Sequence, residues 1–553
     1  MLFTSKFFLR VFVSLTFSLI CYFRIDSVIG QFSDDAWYLL IAKALATGKG
    51  YNAINSLSEG VFPTYPPFYP ILLSFVWQYS PNFPGNVTAL KLVSIIALIG
   101  SGVFAYKYLI AIQRIPSNQC LLIVSTLLLS PAYIFLATST LMSECVCSLF
   151  LIVNTYLVQN IKQYRLYIKK WLYLGLIIFT TSATVLTKSS CLGLSIAIAL
   201  YLFKEKLLKE VIVFCIGFGL CAGSWYVYAQ QRRPTQEQII EQAGNIVYTY
   251  SQQFWMNMAG DPESGEAKLI DISARVYDNI LNITLRDTGC LFLPFFYRDA
   301  ESSGIEALGL GKLNGKESSM GFNKFTMMIS CIFSLMIMLG YFNICRENIG
   351  MIEVFTPLYL LTIIIWPWFT FRFTLLLFPF LLNYLICGIA IIASYAQSFF
   401  PASSPNIQWA ITRNILISIL FLMMIDHTAY ILSKNRVGNF GPPFWITLFN
   451  DTEKTLNEIK NKVGQEQIIA TDNAAQVALY TNHKTIGLSL PEQRCKYLLQ
   501  NQVIILAQVA PLNFKKLVEN PAYKKIYLSP FGLKVFDVSK VATCPLWKVR
   551  SSE

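Results

Sequence analysis

Two adjacent carboxylates, Asp34 and Asp35, follow the first apolar run in the stretch Phe32-Ser33-Asp34-Asp35-Ala36-Trp37-Tyr38. A helical pattern runs from Ala36 to Thr47 and closes at Gly48, so the pair lies near a helix N-terminus, where the dipole favours negative charge. That alone makes a good cap. Trp37, Tyr38, Tyr51 and Tyr65 surround the pair with the aromatics that gather at lipid headgroups. A carboxylate placed there could act as a general base.

Cationic groups that could meet an anionic substrate occur at a few other positions. Arg372 stands in Trp366-Pro-Trp-Phe-Thr-Phe-Arg372-Phe-Thr-Leu-Leu-Leu-Phe-Pro379, between two apolar runs and flanked by aromatics. A guanidinium stays charged and grips phosphate oxygens in two places, although an interfacial anchor would use the same residue. Lys188, in Leu186-Thr-Lys-Ser-Ser-Cys, sits at the junction of two runs; it suits a lipid phosphate as a point charge, and equally suits snorkelling from a helix end. Glu144, after Ser143, heads another run and is expensive at that depth unless it is paired, with Lys188 the expected partner, or faces water. A surface cap is the alternative. Arg298 and Lys324 bracket the end of a long polar loop as weaker candidates.

The elements that must position these groups belong to a membrane protein. With 553 residues, 54% hydrophobic and 14% charged, and a mean hydropathy of +0.50, the composition departs from the roughly 45–50% apolar and 25% charged share of soluble domains. The net charge of +13 comes mainly from short connections between apolar runs, as membrane orientation requires, and no basic stripe with stacking aromatics marks a nucleic-acid site. Most of the thirteen cysteines, such as Cys120, Cys145, Cys147, Cys191, Cys215, Cys221, Cys331 and Cys387, fall inside apolar runs and read as small hydrophobes. No Cys-x-x-Cys occurs, and the two histidines, His427 and His483, do not suggest a zinc site. His427, next to Asp426, reads as solvated or locally bonded.

Phe7–Phe23, with Lys6 just before it and Arg10 in its first turn and followed by no small-residue cleavage site, reads as a retained anchor with a cytoplasmic N-terminus. About eleven spanning helices are expected by length and hydropathy, with basic residues in alternate connections. Phe68–Tyr79 is too short to span and should lie in the interface. The domain plan is a transmembrane unit over 1–435, with a first extracytoplasmic loop at 30–88 and a long one at 230–322, then an extracytoplasmic α/β domain over 436–553. In the long loop Glu266–Arg286 is expected to be helical and Leu291–Tyr297 interfacial. In the tail a helix at Thr452–Val463, strands near Ile468, Thr485 and Val503, a helix at Asn473–Tyr480 and a hairpin turned at Pro530–Gly532 are expected.

A first loop carrying adjacent acids, a following aromatic, a glycine-closed helix and then Pro66-Pro67-Phe68-Tyr69 resembles the GT-C glycosyltransferase superfamily, most nearly its protein O-mannosyltransferase and lipid A aminoarabinose transferase branch. The Arg372…Pro379 spacing and Ser143-Glu144 resemble patterns of the same superfamily. The second acid is Asp where Glu is usual, and Thr64-Tyr65 replace charged residues. The resemblance implies a polytopic α-helical GT-C fold. It implies an inverting transfer of a sugar from a polyprenyl-phosphate donor to a lipid, glycan or protein acceptor, in a bacterial plasma membrane. Asp34 and Asp35 would be catalytic, Arg372 and Lys188 would hold the donor phosphate, and Glu144, Tyr65, Tyr69 and Arg298 would support them. No cofactor is required by this reading, with Mg²⁺ or Mn²⁺ as an option. The alternatives are a lipid or small-molecule transporter or flippase, and a non-catalytic scaffold of the same fold.

Overall fold

The computed structural model describes residues 2–30, 34–112, 115–163, 167–242, 246–258, 261–293, 324–398, 407–435, 444–487, 503–508, 524–528 and 533–537. Arg298 lies outside them, as do the expected interfacial residues after Leu293 and the turn of the expected C-terminal hairpin.

The chain is dominated by helices. In order they are α1 (Leu2–Arg24), α2 (Asp34–Ala46), α3 (Phe68–Tyr79), α4 (Val87–Ile112), α5 (Ser117–Leu128), α6 (Pro131–Thr138), α7 (Glu144–Asn160), α8 (Tyr167–Thr187) and α9 (Gly193–Lys204). There follow α10 (Leu208–Phe218) and α11 (Ser224–Gln231), then the polar segment with α12 (Gln236–Gln242), α13 (Tyr250–Trp255), α14 (Leu269–Asn282) and α15 (Thr288–Phe292). The apolar helices resume as α16 (Lys324–Glu347), α17 (Met351–Ile365), the single turn α18 (Phe371–Thr374), α19 (Phe378–Ser398) and α20 (Ile407–Lys434).

Among the described residues six helices are long and apolar enough to cross a membrane, and the pair α5 and α6, bent by 44°, makes a seventh. The bend falls at Pro131, whose predecessor Ser130 is extended, as a residue before proline prefers. The continuous stretch through α10 and α11 is only 11% buried and exposes Ile212, Ile216, Leu220 and Val227. So broad an apolar face fits lipid rather than water. Cys215 and Cys221 lie exposed on this stretch, so these two are not the core residues expected of them.

Helices α16 and α19 cross at van der Waals limits. A Cβ on Gly340 would stand 1.9 Å from the Tyr384 carbonyl oxygen, and one on Gly388 would stand 2.0 Å from that of Met336. Small residues of this kind let helix backbones touch in a membrane, where no hydrophobic force drives helices together.

The polar segment departs from expectation in one respect. The expected helix forms as α14, but Cys290, Leu291 and Phe292 are buried rather than interfacial, with the Phe292 ring 5.4 Å from both Phe333 and Phe378. A short hairpin, β1 (Met256–Met258) with β2 (Asp261–Glu266), precedes α14.

Beyond α20 come α21 (Phe444–Lys462), β3 (Ile468–Thr471), α22 (Ala474–Thr481), β4 (Thr485–Gly487), β5 (Val503–Gln508), β6 (Lys524–Leu528) and β7 (Lys534–Asp537). The sheet order is β4-β3-β5-β7-β6. Strand β3 runs parallel to β4 and β5, while β7 is antiparallel to β5 and β6. Leu456, Ile459, Val463, Ile469, Val477 and Val535 form its core.

This tail clasps the first loop. Asn473 Nδ2 donates to the Gly30 carbonyl at 2.6 Å and Gln476 Nε2 to that of Ile29 at 2.9 Å. The Thr485 N–H donates to the Asn55 carbonyl, and Lys484 Nζ donates to that of Ser56. Gly30 has φ +92°, and a Cβ there would fall 2.5 Å from Gln476 Cγ. Gly30→Ala is therefore expected to cost about 1–3 kcal/mol from backbone strain and overpacking together. Thermal unfolding of the purified protein reads this directly, and an unchanged midpoint would mean that the clasp yields.

Candidate active site

Helix α2 begins at the paired aspartates, and its two carboxyls have opposite fates. Asp35 is fully buried. Its oxygens accept from the Gly30 N–H at 2.9 Å and the Ala36 N–H at 3.0 Å, so it ties the loop to the helix it starts. Burial pushes its carboxyl up to about 6, against the lowering influence of those two N–H donors. The ordinary value is 3.8, so between about pH 4 and 6 the unfolded chain ionises before the folded one, and stability falls as pH rises through that window. A shift of this size corresponds to roughly 3 kcal/mol. Asp35→Asn, which cannot ionise, should erase this slope. Thermal midpoints of the two proteins across that range test it, and a constant difference between them would refute it.

Asp34 turns the other way. Its side chain is 30% exposed; Oδ1 accepts from the Tyr65 hydroxyl at 2.7 Å, and Oδ2 accepts from Nη1 and Nη2 of Arg372, both at 3.2 Å. The Nε of Arg372 donates to Glu144 Oε1 at 3.0 Å, and Nη2 lies 2.9 Å from the same oxygen as an ion pair. Lys188 Nζ donates to the same Oε1 at 2.7 Å and lies 4.5 Å from the Phe373 ring centre. Glu144 is fully buried at the head of α7. The expected Glu144–Lys188 pair is present, and four charged groups from residues 34, 144, 188 and 372 form one chain of contacts with two charges of each sign.

The hairpin that presents Arg372 is held by groups the sequence reading missed. Tyr133 and Tyr359 donate to the carbonyls of Leu375 and Phe373 at 3.0 and 3.2 Å. Trp368 Nε1 donates to Gln253 Oε1 at 3.3 Å. Thr370 donates to buried Asp287, which also accepts from Arg286 Nε at 2.7 Å. Tyr38, expected among the aromatics around the aspartates, packs edge-on against Tyr65 and Tyr69, each with ring centres 5.1 Å apart, and its hydroxyl is 3.4 Å from Ser143 Oγ. Tyr69 is buried with its hydroxyl 3.4 Å from Ser94 Oγ, so it supports the floor rather than touching the charges. His427 is buried, not solvated or locally bonded; its ring lies 2.8 Å from Arg24 Nη1 and 3.0 Å from the Leu129 carbonyl.

A cavity of about 220 Å³ lies at the opposite end of the bundle, lined by Tyr108, Thr155, Gln159, Tyr201, Glu347 and Glu353 among others. It touches none of the four charged groups, so the chemistry is assigned by residue type and contact rather than by cavity size. The donor set at the charged cluster does not suit a divalent ion. The Arg372 guanidinium lies between the Asp34 and Glu144 carboxylates, and no three His, Cys, Asp or Glu side chains gather as ligands among the described residues.

No protein-family model matches the chain, and no curated protein matches it by sequence. Solved structures match it in fold. ArnT from Cupriavidus metallidurans, bound to undecaprenyl phosphate, superposes with a TM-score of 0.51 at 9% identity, over 95% of this chain and 97% of that one. The archaeal oligosaccharyltransferase AglB from Archaeoglobus fulgidus, in complex with an inhibitory peptide and a dolichol-phosphate, gives 0.52 at 8% identity over 91% and 69%. A structure of the Archaeoglobus oligosaccharyltransferase with Zn and sulfate gives 0.53 at 11% over 95% and 73%. At these identities the likeness is one of fold: the chain shares the fold of ArnT and of the archaeal oligosaccharyltransferase.

Proposed function

We propose that this protein transfers a hexosyl or pentosyl group from a polyprenyl-phosphate donor to an acceptor at the outer face of a bacterial plasma membrane. One observation carries the reading: the accessible Asp34 carboxylate and the Arg372 guanidinium meet in a single polar cluster with Glu144 and Lys188. A base and a phosphate grip are the two devices such a transfer needs. The lipid phosphates bound by the ArnT and AglB structures of the same fold support it.

In this reading the spans are α1, α4, α5 with α6, α7, α8, α9, α10 with α11, α16, α17, α19 and α20. The N-terminus is cytoplasmic and the sheet-bearing tail extracytoplasmic. Lys107, Lys162, Lys170, Lys204 and Lys209 then fall on the cytoplasmic side, in accord with the positive-inside rule. The donor's chain lies among the spans, and its phosphate meets Arg372 and Lys188. Asp34 takes the proton of the acceptor hydroxyl as the oxygen attacks the anomeric carbon. The bond from that carbon to the phosphate oxygen breaks on the opposite face, inverting the centre and leaving polyprenyl phosphate. Arg372 and Lys188 offset the charge gathering on the departing phosphate, the kind of fixed stabilisation that contributes most in such sites. Glu144 holds both cations, Asp35 fixes the loop, and Tyr65 orients Asp34. Neither the donor grip nor the base needs a metal, and none is given a step.

Mass spectrometry of glycans and lipid-linked sugars from cells with and without the protein tests the reading. Loss of one glycoform with accumulation of its lipid-linked donor is expected. Identical profiles in cells that insert the protein normally would count against it.

A further inference from the structure

We propose that Asp34 also acts as a stand-in for the donor phosphate, occupying its edge of Arg372 until the donor displaces it; this rests on the transferase reading above. The guanidinium has two partners of unequal mobility. Glu144 is fully buried, and its Oε1 is shared by Arg372 and Lys188, so withdrawing it would strand two cations. Asp34 is 30% exposed, and among the described residues the Tyr65 hydroxyl is the one other hydrogen-bond donor to its carboxylate. When a phosphate approaches, Asp34 is the partner that gives way.

The consequence is a donor-first order built from competition. Asp34 Oδ2 is covered by the two Nη groups of Arg372, and the four charges sum to zero. A bound phosphate brings one more negative charge, so Asp34 and the phosphate compete for the same guanidinium edge. Displacement uncovers the carboxylate oxygen that must meet the acceptor hydroxyl, so the base is exposed only in a site that already holds a donor. Linkage makes the coupling reciprocal: whatever the phosphate does to Asp34, Asp34 does to the affinity for phosphate. Asp34 therefore sets donor affinity as well as reactivity, and after transfer its return to Arg372 helps expel the lipid phosphate.

The probe is undecaprenyl phosphate titrated against the full-length protein in nanodiscs. Asp34→Asn should bind it about fivefold more tightly or better, the scale of a partly exposed ion pair, while losing turnover. Asp34→Ser, which also lacks the charge, should bind more tightly too and serves if the first variant does not fold. A map of the unaltered protein with the lipid bound should show Arg372 on the phosphate and Asp34 withdrawn from it. Equal or weaker binding by folded uncharged variants, or a bound phosphate with the Asp34–Arg372 contact intact, overturns the inference and leaves the transferase reading standing. Absence of binding by the parent and the variants alike removes the lipid-phosphate reading itself.

Discussion

Asp34→Asn is expected to lower sugar transfer by about 10²–10⁴-fold, the usual contribution of a positioned general base, without preventing the protein from folding. Asn keeps the shape and an oxygen for the Tyr65 hydroxyl, and Arg372 keeps Glu144 as a partner. The loss should therefore appear in turnover rather than in thermal stability. The measurement is glycan mass spectrometry of cells producing equal amounts of either protein, paired with a melting curve of each. Near-normal product from Asp34→Asn would remove the base assignment, whereas a collapsed melting curve would show that the charge is structural.

The largest stability effect is expected far from that cluster, at the crossing of α16 and α19. Gly388→Ala places a methyl carbon 2.0 Å from the Met336 carbonyl oxygen, and Gly340→Ala places one 1.9 Å from that of Tyr384. Both obstacles are backbone atoms, which no rotamer change relieves, so the helices must separate. A cost of about 3 kcal/mol or more is expected, the upper part of the overpacking range. Gly175→Ala in α8 is the control, because a Cβ there meets nothing within 4 Å, and it should leave stability equal or slightly higher by helix propensity. The melting temperature in detergent ranks the three variants; if Gly388→Ala melts with the control, the two helices do not cross at contact distance. Because α19 follows the Arg372 hairpin by only a few residues, reduced transfer should accompany the loss.

The residues of the candidate site were largely readable before any geometry, and for a physical reason. Charges beside long apolar runs are costly, so Asp34, Glu144, Lys188 and Arg372 stood out against their surroundings. Of their contacts only the Glu144–Lys188 pair was expected; Arg372 joins that pair to Asp34. What was not readable depends on partners remote in sequence. Asp287 holds Thr370 across 83 positions, and Tyr38 meets Ser143 across 105; no period along the chain signals such pairs. Leu291 and Phe292 looked interfacial because apolar residues in a polar segment usually are, yet a pocket against α16 and α19 was there to take them. Helices α7, α9 and α17, of 17, 12 and 15 residues, are short of the ~20 residues that cross a bilayer unaided, so length and hydropathy do not find them among the six or seven spans of the described residues. The described helices and strands of the tail lie where alternating and helical patterning puts them, while the helix expected over 493–501 falls outside the described residues; nothing in that pattern said where the tail would dock.

That docking has a consequence for how the molecule comes to life on the ribosome. The Gly30 carbonyl waits for Asn473, which is 443 positions later, and Ile29 for Gln476 at 447. During synthesis the loop bearing Asp34 is made long before its clasp exists, and the side-chain amides of Asn473 and Gln476 that fasten it follow more than 440 residues later. The segment that leads into Asp34 therefore gains these fastenings only after residues 473 to 476 have been made.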